Sequence, residues 1–251
     1  MAAALKFPML VIDAGNSAVK FASIPRPGGR PKLLGSMAMN KLTPTAVRRL
    51  VRDAGSVFVS SVVPSATRVL KRALPAARFI GPDTPLDFKT LAGRKSIGSD
   101  RLANVAAAHA RHGKNVLVAS FGTAATFDII DAKGVHRGGA LAPGWKAFAE
   151  IFPSKTALLP RVGAKVAPRY AGRNTREALA AGVAGGYAAL VQHLIEGMKN
   201  EAGAKNARVI FTGGDAPVVA KLLRLKGDTD PLLTMCGIAH LGGSIAREVR
   251  K

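Results

Sequence analysis

Met9-Leu10-Val11-Ile12-Asp13-Ala14-Gly15-Asn16-Ser17 and Val118-Ala119-Ser120-Phe121-Gly122-Thr123-Ala124 are two copies of one local form. Each is an apolar run that reads as a buried strand, then a glycine turn with a hydroxyl residue nearby. A returning strand follows each turn, over residues 19–24 in the first copy and 126–130 in the second. The repeat divides the chain near Gly113 into two related halves, 1–113 and 114–251. A strand hairpin followed by helix and further strands predicts an α/β chain in which mixed sheets are flanked by helices. A cleft between two such halves is a natural place for a ligand.

Outward from these copies the other elements fall into place. Residues 33–39 read as a third strand. Thr43 is a helix N-cap with Pro44 at the first helical position. Residues 56–63 form an apolar strand ended by Pro64, and a helix is expected over 65–73. The alanine-rich stretch 99–112 is a helix by composition. In the second half, Asp131-Ala132-Lys133-Gly134 is a hairpin turn and 175–200 a long helix. Residues 207–211 are a strand. Thr212-Gly213-Gly214-Asp215 makes a third glycine turn, and 231–249 reads as helical despite Gly237, Gly242 and Gly243.

Composition sets the outer bounds. The 251 residues are 48% hydrophobic, enough for a core, and 21% charged, too few for a disordered chain. The 37 Lys and Arg against 15 Asp and Glu give a formal charge of +22, a field that attracts anions. The basic residues are spread out, densest at Arg68, Lys71 and Arg72, so small anions such as nucleotides account for them better than nucleic acid does. The single cysteine, Cys236, cannot form an intrachain disulfide and points to a reducing compartment. With no secretory leader and no apolar run of spanning length, a cytoplasmic location away from the membrane is expected.

Four short motifs carry chemistry. At the first turn Gly15 lets backbone N–H groups approach a phosphate, Asn16 and Ser17 add side-chain donors, and Asp13 can hold Mg²⁺. The second turn, with Gly122 and Thr123, repeats that form, and two such turns can grip phosphates. At the third turn, Gly213 and Gly214 let a flat nucleoside lie against the backbone. In Gly98-Ser99-Asp100-Arg101, Asp100 is a candidate general base and Arg101 a positive charge for an anionic substrate. Each motif also has a plain structural use: the turns as self-bonded hairpins, and Asp100 as a helix cap. No Walker loop and no Gly-x-Ser-x-Gly elbow occurs. His109 and His112, on one helix without an accompanying Glu motif, are expected to face solvent.

Taken in order, these motifs resemble the type III pantothenate kinases. The resemblance runs through Leu10-Val11-Ile12-Asp13-Ala14-Gly15-Asn16-Ser17, Val59-Ser60-Ser61-Val62-Val63-Pro64, Gly98-Ser99-Asp100-Arg101 and Phe121-Gly122-Thr123-Ala124-Ala125-Thr126. It continues through Gly138-Gly139-Ala140-Leu141-Ala142-Pro143-Gly144, Gly172-Arg173-Asn174-Thr175, Thr212-Gly213-Gly214 and Leu232-Leu233-Thr234-Met235-Cys236-Gly237. It implies two actin-like (ribonuclease H-like) domains and ATP-dependent phosphorylation of pantothenate to 4'-phosphopantothenate, the first step of coenzyme A biosynthesis. It also implies Mg²⁺ and a homodimer whose active site is shared. Asp13 through Lys20 match the first phosphate loop, and Thr123 matches a contact to ATP. Gly98, Ser99, Asp100 and Arg101 match the lining of the pantothenate site, with Asp100 as base. Thr175 matches a substrate contact supplied across the dimer, and the run from Gly138 to Gly144 matches the interface core.

Two departures stand out. Many relatives carry Asp where this chain has Ser120, and that Asp helps hold an activating monovalent cation, K⁺ or NH₄⁺. A serine hydroxyl is a weaker, neutral ligand, so the resemblance implies a cation site that the substitution weakens. Many also carry a Tyr upstream of Gly-x-Asp-Arg, where Phe88-Lys89-Thr90-Leu91-Ala92-Gly93-Arg94 has none. Alternatives of other kinds are an accessory factor in transcription and an actin-like kinase for another small alcohol.

Overall fold

The structure, a computed structural model, describes residues 5–51, 54–167, 169–223 and 227–248. The chain forms two compact units, Met1–Gly113 with Leu232–Lys251, and Lys114–Pro231.

The first unit opens with β1 (Met9–Ala14), β2 (Ala18–Ile24) and β3 (Lys32–Ala38), followed by α1 (Pro44–Leu50). Thr43 caps α1 as its sequence requires, its Oγ1 accepting the Ala46 N–H at 3.2 Å. Then come β4 (Val57–Ser61), α2 (Pro64–Ala73), the two-residue β5 (Arg78–Phe79) and α3 (Ser99–His112). The strand order is β3-β2-β1-β4-β5. β1 and β3 are antiparallel to β2, while β4 runs parallel to β1 and β5 to β4, so the sheet is mixed.

Alternation along β1 sorts its two faces. Leu10, Ile12 and Ala14 enter a core with Val59, Val47, Ala66 and Leu70, the last three from α1 and α2. Val11 and Asp13 lie on the other face, in register with Phe58 and Ser60 of β4.

The second unit repeats the plan. β6 (Val116–Phe121), β7 (Ala124–Ile130) and β8 (His136–Pro143) form the antiparallel part. Short helices α4 (Trp145–Ala149) and α5 (Ile151–Lys155) follow. α6 (Thr175–Leu179) runs through a π-helical turn at Ala180–Gly185 into α7 (Gly186–Glu201). β9 (Arg208–Thr212), α8 (Ala216–Leu223) and the two-residue β10 (Asp228–Thr229) complete the unit. The order β10-β9-β6-β7-β8 has the same pairings as the first sheet.

Thr175–Glu201 is long and apolar enough by composition to cross a membrane. One face of it, with Leu179, Val183, Tyr187, Val191 and Ile195, is buried in the core of this unit.

The last helix, α9 (Leu233–Glu248), belongs to the first unit, although the sequence split puts residues 114–251 together. Its glycines explain the placement. A Cβ on Gly242 would lie 2.6 Å from the Phe58 ring, and one on Gly237 would run into the Ala103 carbonyl of α3. α9 is thus seated directly on α3 and on the Val11, Phe58 face of the sheet, an approach that only glycine allows. α3 is buried at Ser99 and from Leu102 to Ala108, and is open to solvent at its last turn. His109, expected to face solvent, is nonetheless drawn in: its ring stacks on Phe88 at 5.3 Å and its Nδ1 is buried.

Candidate active site

In the first unit the motif residues gather at one end of the sheet. Asp13, at the end of β1, is flanked in register by Lys20 of β2 and Ser60 of β4. Opposed residues share a face, so all three project toward the α3 side. Ser60 is fully buried, and its Oγ lies 2.9 Å from the Oγ of Ser99, the first residue of α3. That hydroxyl pair fixes the start of α3 against the strand end, and Asp100 follows at once. One Asp100 oxygen, Oδ1, accepts the Arg101 N–H at 2.8 Å. Burial, then the neighbouring Asp100 carboxylate, push the Asp13 carboxyl up to about 6 from its ordinary 3.8, against an opposing pull from Lys20. Two carboxylates and a lysine therefore converge at the tip of β1. Such a perturbed acid is a mark of a functional site.

The hairpin beside them is open. Gly15 donates to the Ala18 carbonyl at 3.1 Å, a Cβ on Gly15 would meet nothing closer than 3.8 Å, and Asn16 and Ser17 are exposed. Gly98 is different: a Cβ there would lie 2.5 Å from Asp100 Oδ1.

In the second unit Ser120 holds the position of Asp13, flanked in register by Thr126 and Thr212. Where the first sheet sets a carboxylate and an ammonium beside one hydroxyl, the second has a row of three hydroxyls. Thr212 Oγ1 is buried with no hydrogen-bond partner among the described residues. Gly122 donates to the Ala124 carbonyl at 3.0 Å, with Thr123 exposed at the tip. Gly213, at φ 91°, is pressed against Phe121, where a Cβ would come within 2.7 Å of the backbone N. Gly214 beside it has open space. Thus the second and third glycine turns are physically one platform.

Sequence reasoning placed Gly144 only in the interface run and missed Lys146; both belong to this turn. Gly144 donates to the Thr123 carbonyl at 3.1 Å, a close approach that a Cβ would block. Two residues on, Lys146 Nζ lies 2.8 Å from Oδ1 of the buried Asp215. Neither pairing has a local sequence signal, because the partners are far apart in the chain.

Thr175 lies elsewhere in the same unit. It is exposed at the start of α6, where Asn174 Oδ1 accepts the Glu177 N–H at 2.9 Å and Glu177 Oε2 accepts the Arg173 N–H at 2.9 Å. It lines a recess of about 500 Å³ with Phe152, Leu159 and Val183, none of them on the glycine platform.

A family model described as type III pantothenate kinase matches residues 9–197, the stretch that contains both hairpins, the Asp100 helix and Thr175. This chain belongs to the type III pantothenate kinase family. A type III pantothenate kinase of Methylacidiphilum infernorum is 32% identical over 97% of this chain and 91% of its own. That of Geotalea daltonii is 32% identical over 93% and 97%. Among solved structures, a Campylobacter jejuni protein given the provisional name of a conserved Baf family transcriptional activator aligns with a TM-score of 0.64 at 22% identity, covering 93% of this chain and 96% of that one. Component A of the Acidaminococcus fermentans (R)-2-hydroxyglutaryl-CoA dehydratase aligns at 0.52 and 12%, covering 97% and 99%. At those identities the two structures speak to the fold alone: both units of this type III pantothenate kinase family member are actin-like.

Proposed function

We propose that this chain transfers the terminal phosphoryl group of ATP to the hydroxyl of pantothenate, giving 4'-phosphopantothenate, the first step of coenzyme A biosynthesis. Family membership supplies the substrate class. The observation that carries the reading is the convergence of Asp13 and Asp100 at the tip of β1, with Lys20 opposite Asp13.

The two carboxylates have separate tasks. Asp100, at the start of α3, takes the proton of the substrate hydroxyl as its oxygen bonds to the terminal phosphorus, and the bond from that phosphorus to the bridging oxygen breaks. Arg101, with Gly98 and Ser99, lines the pantothenate site and offers charge to its carboxylate. Asp13 is the residue to hold a divalent ion. Among the described residues no three His, Cys, Asp or Glu side chains cluster as metal ligands. A site of one carboxylate completed by phosphate and water oxygens suits Mg²⁺. Bound Mg²⁺ would neutralise charge on the phosphates. Gly15, Asn16, Ser17 and Lys20 serve phosphate from the first unit, and Gly122, Thr123, Gly213 and Gly214 serve the nucleotide from the second. Open backbone at Gly15, Gly122 and Gly214, where a Cβ would meet nothing closer than 3.8 Å, fits that use.

The site reading extends to a cytoplasmic homodimer in which Thr175 contacts the substrate of the partner subunit. Exposed apolar side chains of the second unit support it: Leu158 at 91%, Leu141 at 63% and Ile151 at 48%. Mixing Thr175→Ala and Asp100→Asn homodimers should restore part of the activity each lacks.

The central test is a radiolabelled ATP assay over a panel of small alcohols, with wild type and Asp100→Asn. Pantothenate should be the preferred acceptor, and loss of the base should cost about 10²-fold or more in kcat. A preference for another alcohol, or a mutant retaining more than about a tenth of wild-type kcat, would overturn the assignment.

A further inference from the structure

We infer that Lys146 is a nucleotide-phosphate ligand: its ammonium, held by Asp215 beside the turn at Gly122 and Thr123, is the fixed positive charge that the second unit offers to the polyphosphate. The inference rests on the reading that this chain uses ATP.

Both ends of the ion pair are anchored to the same few atoms of backbone. On the lysine side, Gly144 N–H donates to the Thr123 carbonyl at 3.1 Å, and the chain enters α4 directly, with Lys146 its second residue. On the acid side, the Asp215 N–H donates to the Phe121 carbonyl at 3.0 Å. Nζ and Oδ1, 2.8 Å apart, therefore close a bridge over the segment that carries Gly122 and Thr123.

The pair is lopsided in a way that suits a ligand. The Asp215 side chain is only 10% exposed and that of Lys146 79%. An ion pair with one partner so exposed adds little to stability, so holding α4 in place is a weak account of it. An ammonium has three donors. One is turned to Asp215, and two are left to face what approaches the turn.

Charge supplies the second argument. The first sheet places Lys20 opposite Asp13 at its turn, while the second places neutral Thr126 and Thr212 beside Ser120. The strands of the second unit thus bring no cation to their own turn, and Lys146 brings one from outside the sheet. Asp215 is its positioning residue.

The experiment is titration calorimetry of the full chain with MgATP and with AMP, beside the steady-state KM for each substrate. In Lys146→Met the Kd for MgATP should rise about tenfold or more, as for loss of a charge-assisted contact. That for AMP should change less than about twofold, because AMP lacks the outer phosphates, and KM for pantothenate should hold. Lys146→Gln, which can still donate to Asp215, should show the same loss, and Lys146→Arg should restore affinity. Asp215→Asn should raise the KM for ATP alone, by a smaller factor. Unchanged MgATP affinity in both Lys146→Met and Lys146→Gln, with wild type binding ATP and phosphorylating pantothenate, overturns this inference and leaves the kinase reading standing. Wild type that binds no ATP overturns the kinase reading itself.

Discussion

Gly98 and Asp100 share a space that holds only one of two things, a side chain at 98 or the Asp100 carboxylate in its present place. The separation between a Cβ at 98 and Asp100 Oδ1 would be 2.5 Å. Gly98 has φ −61° and ψ 144°, a conformation open to any residue, so backbone freedom does not explain the glycine. The atom in the way is the end of a flexible side chain, which can rotate aside.

Gly98→Ala should therefore leave the fold nearly intact, within about 1 kcal/mol, while lowering kcat about tenfold or more by misplacing the base. Urea unfolding and steady-state kinetics on one preparation check both halves. Full activity would mean that the carboxylate does not need its present position.

Asp13 predicts a pH-dependent stability of unusual sign for a carboxylate. Its pKa rises on folding from 3.8 to about 6, by burial first and Asp100 second. Between those values the folded state holds more protons than the unfolded, so stability falls as pH rises, and the loss is complete above about 6. Two pK units correspond to roughly 3 kcal/mol. Asp13→Asn should be the more stable protein at pH 8, by up to roughly that amount, and should converge with wild type near pH 4. It should also use MgATP poorly. Parallel melting temperatures across pH 4–8 would count against the burial of this charge.

Tyr187 is fully buried and its hydroxyl has no hydrogen-bond partner among the described residues. Burial, then Asp215, push its ionisation up to about 12. Its ring does the packing, against Trp145 at 5.3 Å and Phe148 at 5.2 Å. Tyr187→Phe keeps those contacts and removes an unsatisfied group, so it should be neutral or stabilising by about 1 kcal/mol. Chemical denaturation measures this directly. A loss above about 1 kcal/mol would reveal a bound water or ligand partner for the hydroxyl.

Ser120 bears on monovalent-cation dependence. Its in-register neighbours are Thr126 and Thr212, all neutral oxygens. A carboxylate attracts K⁺ far more strongly than hydroxyl dipoles do. Activation by K⁺ should be shallow in wild type and shift to lower concentration in Ser120→Asp, titrated in sodium-free Tris buffer. Saturation of wild type at low millimolar K⁺ would show that carbonyls and hydroxyls suffice.

Much of this was legible from local rules. The α1 cap, the bounds of α3 and both hairpins follow from capping, composition and alternation. The hairpin turn at 131–134 implied a returning strand without giving its bounds; β8 is that strand, at the edge of the sheet, where Gly138, Gly139 and Pro143 are tolerated. The long helix over 175–200 was anticipated without its π-helical turn at Ala180–Gly185. The glycines of α9 counted against a helix by propensity, yet they are what lets it close on Ala103 and Phe58. At the site, Asp13 and Asp100 were visible because each ends or begins an element. Lys146 and Asp215 were not, since only the folded sheet brings them together.

The return of α9 to the first unit has a consequence for how the nascent chain matures. Lys114–Pro231 is one uninterrupted stretch and can fold as soon as it has left the ribosome. The first unit, though translated earlier, cannot finish until Leu232–Lys251 emerges. Through that interval Val11 and Phe58 lack the helix that covers them. The half of the protein made first is thus the half completed last, and it is the half in which a chaperone would find apolar surface to hold.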